Sequence, residues 1–188
     1  EKIHEIEKEV EIELANFLQD DNSGVFVLES MEVQSRDNWM KYLMTEANNF
    51  GIPQIELWAH SARICKKITD RTRIQTDSIY KAIYGGNNQT TIQYEEENED
   101  NAESKLLEII PIKSNEYIDE KALIIIHEAH LVNRSLNQSE LLRFGSGRLL
   151  EDIFKFLNLE KNNRKVICIG DPYSMSFGKN EDAAINTN

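Results

Sequence analysis

Val25-Phe26-Val27-Leu28-Glu29-Ser30-Met31-Glu32-Val33-Gln34-Ser35-Arg36-Asp37 joins two kinds of structure. Its first four residues are β-branched, aromatic or leucine, the composition of a strand. From about Ser35 the spacing turns helical, with Trp39, Leu43, Ala47 and Phe50 on one face and Gly51 as the stop signal. Upstream, Ile3, Ile6, Val10, Leu14, Phe17 and Leu18 recur at helical spacing among acids, predicting an N-terminal helix within residues 1–20. Downstream, strands are expected at 55–59, 122–126 and 165–169, the second a continuous apolar run that suits a strand buried on both faces and the third another buried strand. Ser61 is placed to cap a helix carrying Ala62, Ile64, Cys65 and Ile68, and Thr76 or Asp77 a short one carrying Ile79, Ala82 and Ile83. Residues 138–157 read as mainly helical, interrupted at Phe144-Gly145-Ser146-Gly147-Arg148, a Gly-rich stretch with no strand before it and so read as a bend or a helix start.

Residues 90–94 and 106–112 read as two further strands, a hairpin insertion over 90–112. Between them Glu95, Glu96, Glu97, Glu99, Asp100 and Glu103 put six acids in nine residues, a solvated tip or a docking site for a basic partner. Strands alternating with helices predict an α/β fold, a mostly parallel sheet with helices on both faces. Any ligand then belongs at the carboxyl ends of the strands, where Leu28-Glu29-Ser30, Ile126-His127-Glu128 and Ile169-Gly170-Asp171 should converge.

With 188 residues, 40% hydrophobic and 29% charged, the chain has the composition of one soluble globular domain. No apolar run approaches the roughly 18 to 20 residues that span a bilayer, and no signal peptide is visible. Cys65 and Cys168 fit neither a disulfide framework nor a zinc site, so a cytoplasmic location is expected. The formal charge of −12 disfavours nonspecific attachment to nucleic acid, which rests on Lys and Arg displacing counterions. The absence of an initiator Met suggests a piece of a larger protein.

A strand-to-helix junction such as 25–37 is where a phosphate-binding loop, G-x-x-x-x-G-K-[ST], stands in nucleotide-binding α/β proteins. Its glycines let backbone N–H groups curl round a phosphate, its lysine meets the terminal phosphates, and its hydroxyl ligates Mg²⁺. Here Ser30, Ser35, Arg36 and Asp37 stand at those four places. Glu29, Glu32 and Asp37 against Arg36 leave the window negative, and Asp37 beside Arg36 is expected to neutralise it.

Further motifs in the same order make the chain resemble the first RecA-like domain of superfamily-1 helicases, in the bacterial and Schlafen-like branch. Ile124-Ile125-Ile126-His127-Glu128-Ala129-His130 resembles the DEAH metal-binding motif, with His127 in place of Asp. Gly170-Asp171-Pro172-Tyr173-Ser174-Met175 is similar to GDPxQL, with Ser174 in place of Gln. Ala59-His60-Ser61-Ala62-Arg63 resembles the first single-strand-contact motif, and the segment 139–147 a stretch of that branch. The resemblance implies a RecA-like P-loop fold over 1–188, with the strand before Gly170 lying between the other two motif strands.

The departures fall on the nucleotide chemistry. A neutral imidazole at His127 is a poor partner for hard Mg²⁺, and Ser174 is too short to reach a terminal phosphate. Glu128, in the family the water-orienting base, and Asp171 are kept. The expectation is therefore a catalytically inactive helicase-like domain serving as a structural or protein-interaction module. Its partner would be another protein or further domains of the same one, its docking surfaces the acidic hairpin and the acidic N-terminal helix, with no cofactor and no membrane. One alternative is an ATP- and Mg²⁺-dependent helicase or ATPase fragment completed by another domain or chain. A second is an ATP-independent nucleic-acid-binding module using Ser61 and Arg63. A zinc site at His127 and His130 is the weakest, since His127 follows a strand instead of lying within a helix.

Overall fold

Two apolar cores lie on opposite faces of one sheet. The computed structural model describes residues 2–85, 92–96, 105–175 and 180–186. Strands β1 (Gly24–Glu29), β2 (Gln54–Ala59), β3 (Asp77–Ser78), β6 (Ala122–His127) and β8 (Lys165–Gly170) form a five-stranded sheet in the order β1-β8-β6-β2-β3, every pairing parallel. The strand that ends at Gly170 thus lies between those that end at Glu29 and His127. A second sheet carries β4 (Ile92–Glu96) and β5 (Lys105–Ile110), paired antiparallel, and β7 (Leu142–Phe144), parallel to β5.

Alternation along the central strands feeds both cores, because successive side chains of a strand point to opposite faces. Leu123 and Ile125 of β6, with Ile167 and Ile169 of β8, meet Leu14 and Leu18 of α1 (Lys2–Gln19), Met40 and Leu43 of α2 (Val33–Asn49) and Ile68 of α3 (Ala62–Thr72). Ile124, Ile126, Val166 and Cys168 point the other way. They meet Ile79 and Ile83 of α4 (Ile79–Ile83) and Ile153 and Phe156 of α5 (Leu149–Leu157). Burying each such side chain contributes about 1.5–3 kcal/mol. Cys168, wholly enclosed, has its thiol pushed up to about 12 by burial and behaves as a small apolar residue. No helix among the described residues is long and apolar enough to cross a membrane.

Several expectations are corrected. Residues 138–148 are not helical. The Ser139 hydroxyl accepts the Leu142 N–H at 2.9 Å, turning the chain into β7, and Gly145 and Gly147 take φ of +51° and +79°. Glycine adopts that region at little cost and a helix cannot use it. The Gly-rich stretch therefore does follow a strand. Helix α4 is capped by Ser78, whose hydroxyl accepts the Lys81 N–H at 3.2 Å, because Asp77 and Ser78 are paired with β2. Ser61 occupies the N-cap place of α3 without a side-chain bond. The hairpin strands start and stop within two residues of expectation. Glu97, Glu99, Asp100 and Glu103 lie outside the described residues.

Candidate functional site: a neutralised pocket at the strand ends

The carboxyl ends of β1, β8 and β6 lie side by side, Glu29 opposite Gly170 and His127 opposite Ile169. Parallel strands that cross over through helices leave their loops together at this edge, which is what brings distant residues within reach. Glycine is required at Gly170, since a Cβ there would lie 2.9 Å from the His130 amide nitrogen and 3.2 Å from that of Ala129.

Helix α2 begins two residues earlier than its sequence pattern suggests. Only Ser30, Met31 and Glu32 separate it from β1, so Val33, Gln34 and Ser35 form its first turn where a phosphate cradle would need open loop. The Arg36 N–H donates to the Glu32 carbonyl at 3.0 Å, and the Ser30 N–H to the Gly170 carbonyl at 2.8 Å. Two backbone donors at this junction are thus consumed within the fold.

The side chains are consumed as well. Arg36 is buried, donating from Nη1 to the Ser30 and Met31 carbonyls at 2.7 and 2.8 Å and from Nη2 to Glu128 Oε2 at 3.2 Å. Its counter-ion is therefore Glu128, not its neighbour Asp37, because successive positions of a helix face in different directions. Asp37, 1% exposed, is instead gripped by Arg71 through Nε and Nη2, the latter at 2.8 Å. His127 Nε2 stands 3.0 Å from Asp37 Oδ1.

Charge in this cluster closes to zero, two guanidinium groups against the carboxylates of Asp37 and Glu128. Burial pushes Asp37 up, but Arg71 and His127 together outweigh it and hold the carboxyl below its ordinary value. Burial is also the largest influence on His127 and takes the imidazole below its ordinary value against the pull of Glu128 and Asp37. At neutral pH the contact is accordingly an Nε2–H donated to a carboxylate. Burial lowers His130 likewise, whose Nδ1 accepts the Asp171 N–H at 3.3 Å while Nε2 lies 3.6 Å from Glu128. Both imidazoles lie beside Glu128, His127 Nδ1 at 3.5 Å and His130 Nε2 at 3.6 Å, while their other nitrogens turn to Asp37 and to the Asp171 N–H. Among the described residues no group of three or more His, Cys, Asp or Glu side chains is arranged to hold a metal ion.

Glu128 has φ +56° and ψ +43°, a left-handed conformation that costs a non-glycine residue about 1–2 kcal/mol. No family model matches this sequence, and no curated protein does.

Other expected site residues fall elsewhere. The Ser174 hydroxyl reaches only Asp171, at 2.6 Å, and with the Tyr173 N–H holds that carboxyl below its ordinary value. Ser35 faces the groove between α1 and α2. Arg63 is exposed on the first turn of α3, and neither it nor Ser61 lines the cavity of about 460 Å³ beside His60 and Tyr80. The side chains of Glu95 and Glu96 belong to described strand β4 but lie outside what the structure describes.

Residues the sequence did not point to complete the picture. Arg71 meets Asp37 across 34 positions, and no local pattern announces such a pair. In the loop after β7, Ser146 donates its N–H to Asp152 Oδ2 at 3.0 Å and Tyr84 its hydroxyl to the same oxygen at 2.6 Å. The loop backbone is thus tied to a buried carboxylate of α5.

Proposed function

We propose that this is a helicase-like P-loop domain of RecA type that does not turn over nucleotide and serves as a structural or protein-interaction module. The parallel order β1-β8-β6-β2 supports the fold assignment, and the motifs at 59–63, 124–130 and 170–175 support the family. One observation carries the functional reading: Arg36, at the lysine place of the phosphate loop, is buried and held by Glu128 and two carbonyls.

The residues present do not fit ATP with Mg²⁺. A triphosphate brings about four negative charges to a cluster whose two cations are already matched. Releasing Arg36 leaves Glu128 without its cation, and breaking a buried pair costs about 3–5 kcal/mol. About 4 kcal/mol separates a micromolar site from a millimolar one. The metal-holding place is taken by His127, a neutral imidazole that donates from Nε2 to Asp37 and brings no negative charge to a hard Mg²⁺.

Calorimetric titration with ATP and Mg²⁺ tests the reading. No saturable heat is expected below the millimolar range. Micromolar binding that is lost in Arg36→Met would overturn it and restore the ATPase alternative.

A further inference from the structure

A concave surface lies between α1 and α2, bordered by Glu32 and Ser35 of the strand-to-helix junction. Its cavity of about 420 Å³ is lined by acidic, amide, hydroxyl and aromatic side chains, among them Glu7, Glu11, Glu32, Trp39 and Tyr42. Glu7 and Glu11 are one helical turn apart and so share a face of α1. Glu32 is the N-cap residue of α2, where its charge also meets the positive end of the helix. Trp39 and Tyr42 are half-buried and pack edge to face, ring centroids 5.6 Å apart.

Acidic residues alone describe only a solvated face. Here they rim a groove with two aromatic walls, and that combination is selective in sign and shape. The face of an aromatic ring attracts a cation within about 6 Å of its centroid, by about 0.5–1 kcal/mol where exposed and more when water is displaced. Carboxylates at the rim add charge-assisted hydrogen bonds. An anion or an uncharged apolar segment gains neither. Arginine and lysine stems also cover apolar surface while the charged head reaches polar groups, the profile this groove complements.

We propose that the α1–α2 groove docks a basic segment of a partner protein, seating a lysine or arginine against Trp39 and Tyr42 with Glu11 and Glu32 around its head. This rests on the reading of the domain as an interaction module and gives the partner's chemistry. A chain of net charge −12 attracts polycations everywhere, so the test compares equal charge removed from two places. Fluorescein-labelled hexalysine and hexaarginine peptides are titrated by anisotropy at 150 mM salt against the whole chain. The variants are Glu11→Gln/Glu32→Gln at the groove and Glu9→Gln/Glu13→Gln on exposed positions of α1 outside it.

The groove pair should weaken binding by about tenfold or more, as loss of two charge-assisted contacts implies, and the control pair by less than about twofold. Trp39→Leu should weaken it comparably, with unchanged circular dichroism. Equal weakening by both double variants, or no binding by the wild-type chain, would overturn the proposal. Those outcomes leave calorimetry with ATP unaffected, so failure of the groove and failure of the inactive-domain reading are separately visible.

Discussion

Replacing His127 by Asp would set a second carboxylate beside Asp37, and the structure says the fold should suffer for it. The imidazole Nε2 lies 3.0 Å from Asp37 Oδ1, and both side chains are buried. A second carboxylate there would face Asp37 at about 4 Å, a repulsion of about 4 kcal/mol at an effective dielectric constant of 20. Protonation caps the loss. Lifting one carboxyl from about 3.8 to pH 7 costs about 4 kcal/mol at 1.36 kcal/mol per unit, so the two routes agree in size. Arg71 stays beside the pair and offsets part, leaving about 2–4 kcal/mol. Asp37→Asn alone strips Arg71 and His127 of their acceptor and should cost about 1–3 kcal/mol, Arg71 being 36% exposed. The double variant returns a single carboxylate to the pair and should be more stable than the sum of the singles by at least about 2 kcal/mol. Urea unfolding at pH 7.5 reads this. A urea slope of about 2 kcal/mol per molar puts the His127→Asp midpoint about 1–2 M below wild type. A shift under about 0.5 kcal/mol, or singles that add within that margin, would refute the account of a matched Asp37–His127 pair.

Lower pH should destabilise the chain through its buried imidazoles. Burial holds His60, His127 and His130 below the ordinary 6.5, so the unfolded chain takes up those protons first. Their contribution is complete above about 6.5 and is lost as pH falls through the lower folded values, by at most about 1.4 kcal/mol per unit for each. The depressed Asp37 acts only below 3.8, so a urea midpoint at pH 5.5 equal to that at 7.5 would count against buried neutral histidines. Glu128→Ala loses the ion pair and keeps the left-handed backbone, whereas Glu128→Gly relieves it. The glycine variant should therefore melt at the lower urea loss of the two, by about 1 kcal/mol, and equal midpoints would contradict strain at that residue. Tyr84→Phe removes a hydroxyl bonded to buried Asp152 and should cost about 1.5–3 kcal/mol in the same assay. Gly170→Ala should cost about 1–3 kcal/mol, because the backbone of Ala129 and His130 cannot give way as a flexible side chain would.

Legibility divided along the line between local and distant interactions. Period-two burial and continuous apolar runs depend on each strand's own neighbours, and they exposed β6, β8 and both cores from Ile124, Ile125, Ile167 and Cys168. The strand-end edge followed from parallel order alone. The helix read over 138–157 is present from Leu149 to Leu157, but residues 138–148 take another path, set by one serine hydroxyl and two left-handed glycines. The partner of Arg36 was misread for a different reason: adjacency in sequence made Asp37 the obvious choice, yet the helix turns the two side chains apart. Arg71 and the Tyr84–Asp152 bond span 34 and 68 positions and leave no trace in local pattern.

The buried polar groups at the strand ends make sense together and not one at a time. Asp37 opposite a second carboxylate would meet like charge. His127 without Asp37 would have no acceptor for its Nε2 proton. As a pair they hold a hydrogen bond from a strand end to the neighbouring helix, and Arg71 neutralises the acid there. Arg36 with Glu128 repeats the logic at the next position. A buried pair specifies geometry even where its net stabilisation is small, so mutual matching accounts for how the junction between β1 and α2 stays ordered around buried charge. The same reasoning predicts that Arg36→Lys, with one compact ammonium in place of a planar fork, cannot serve Ser30, Met31 and Glu128 together.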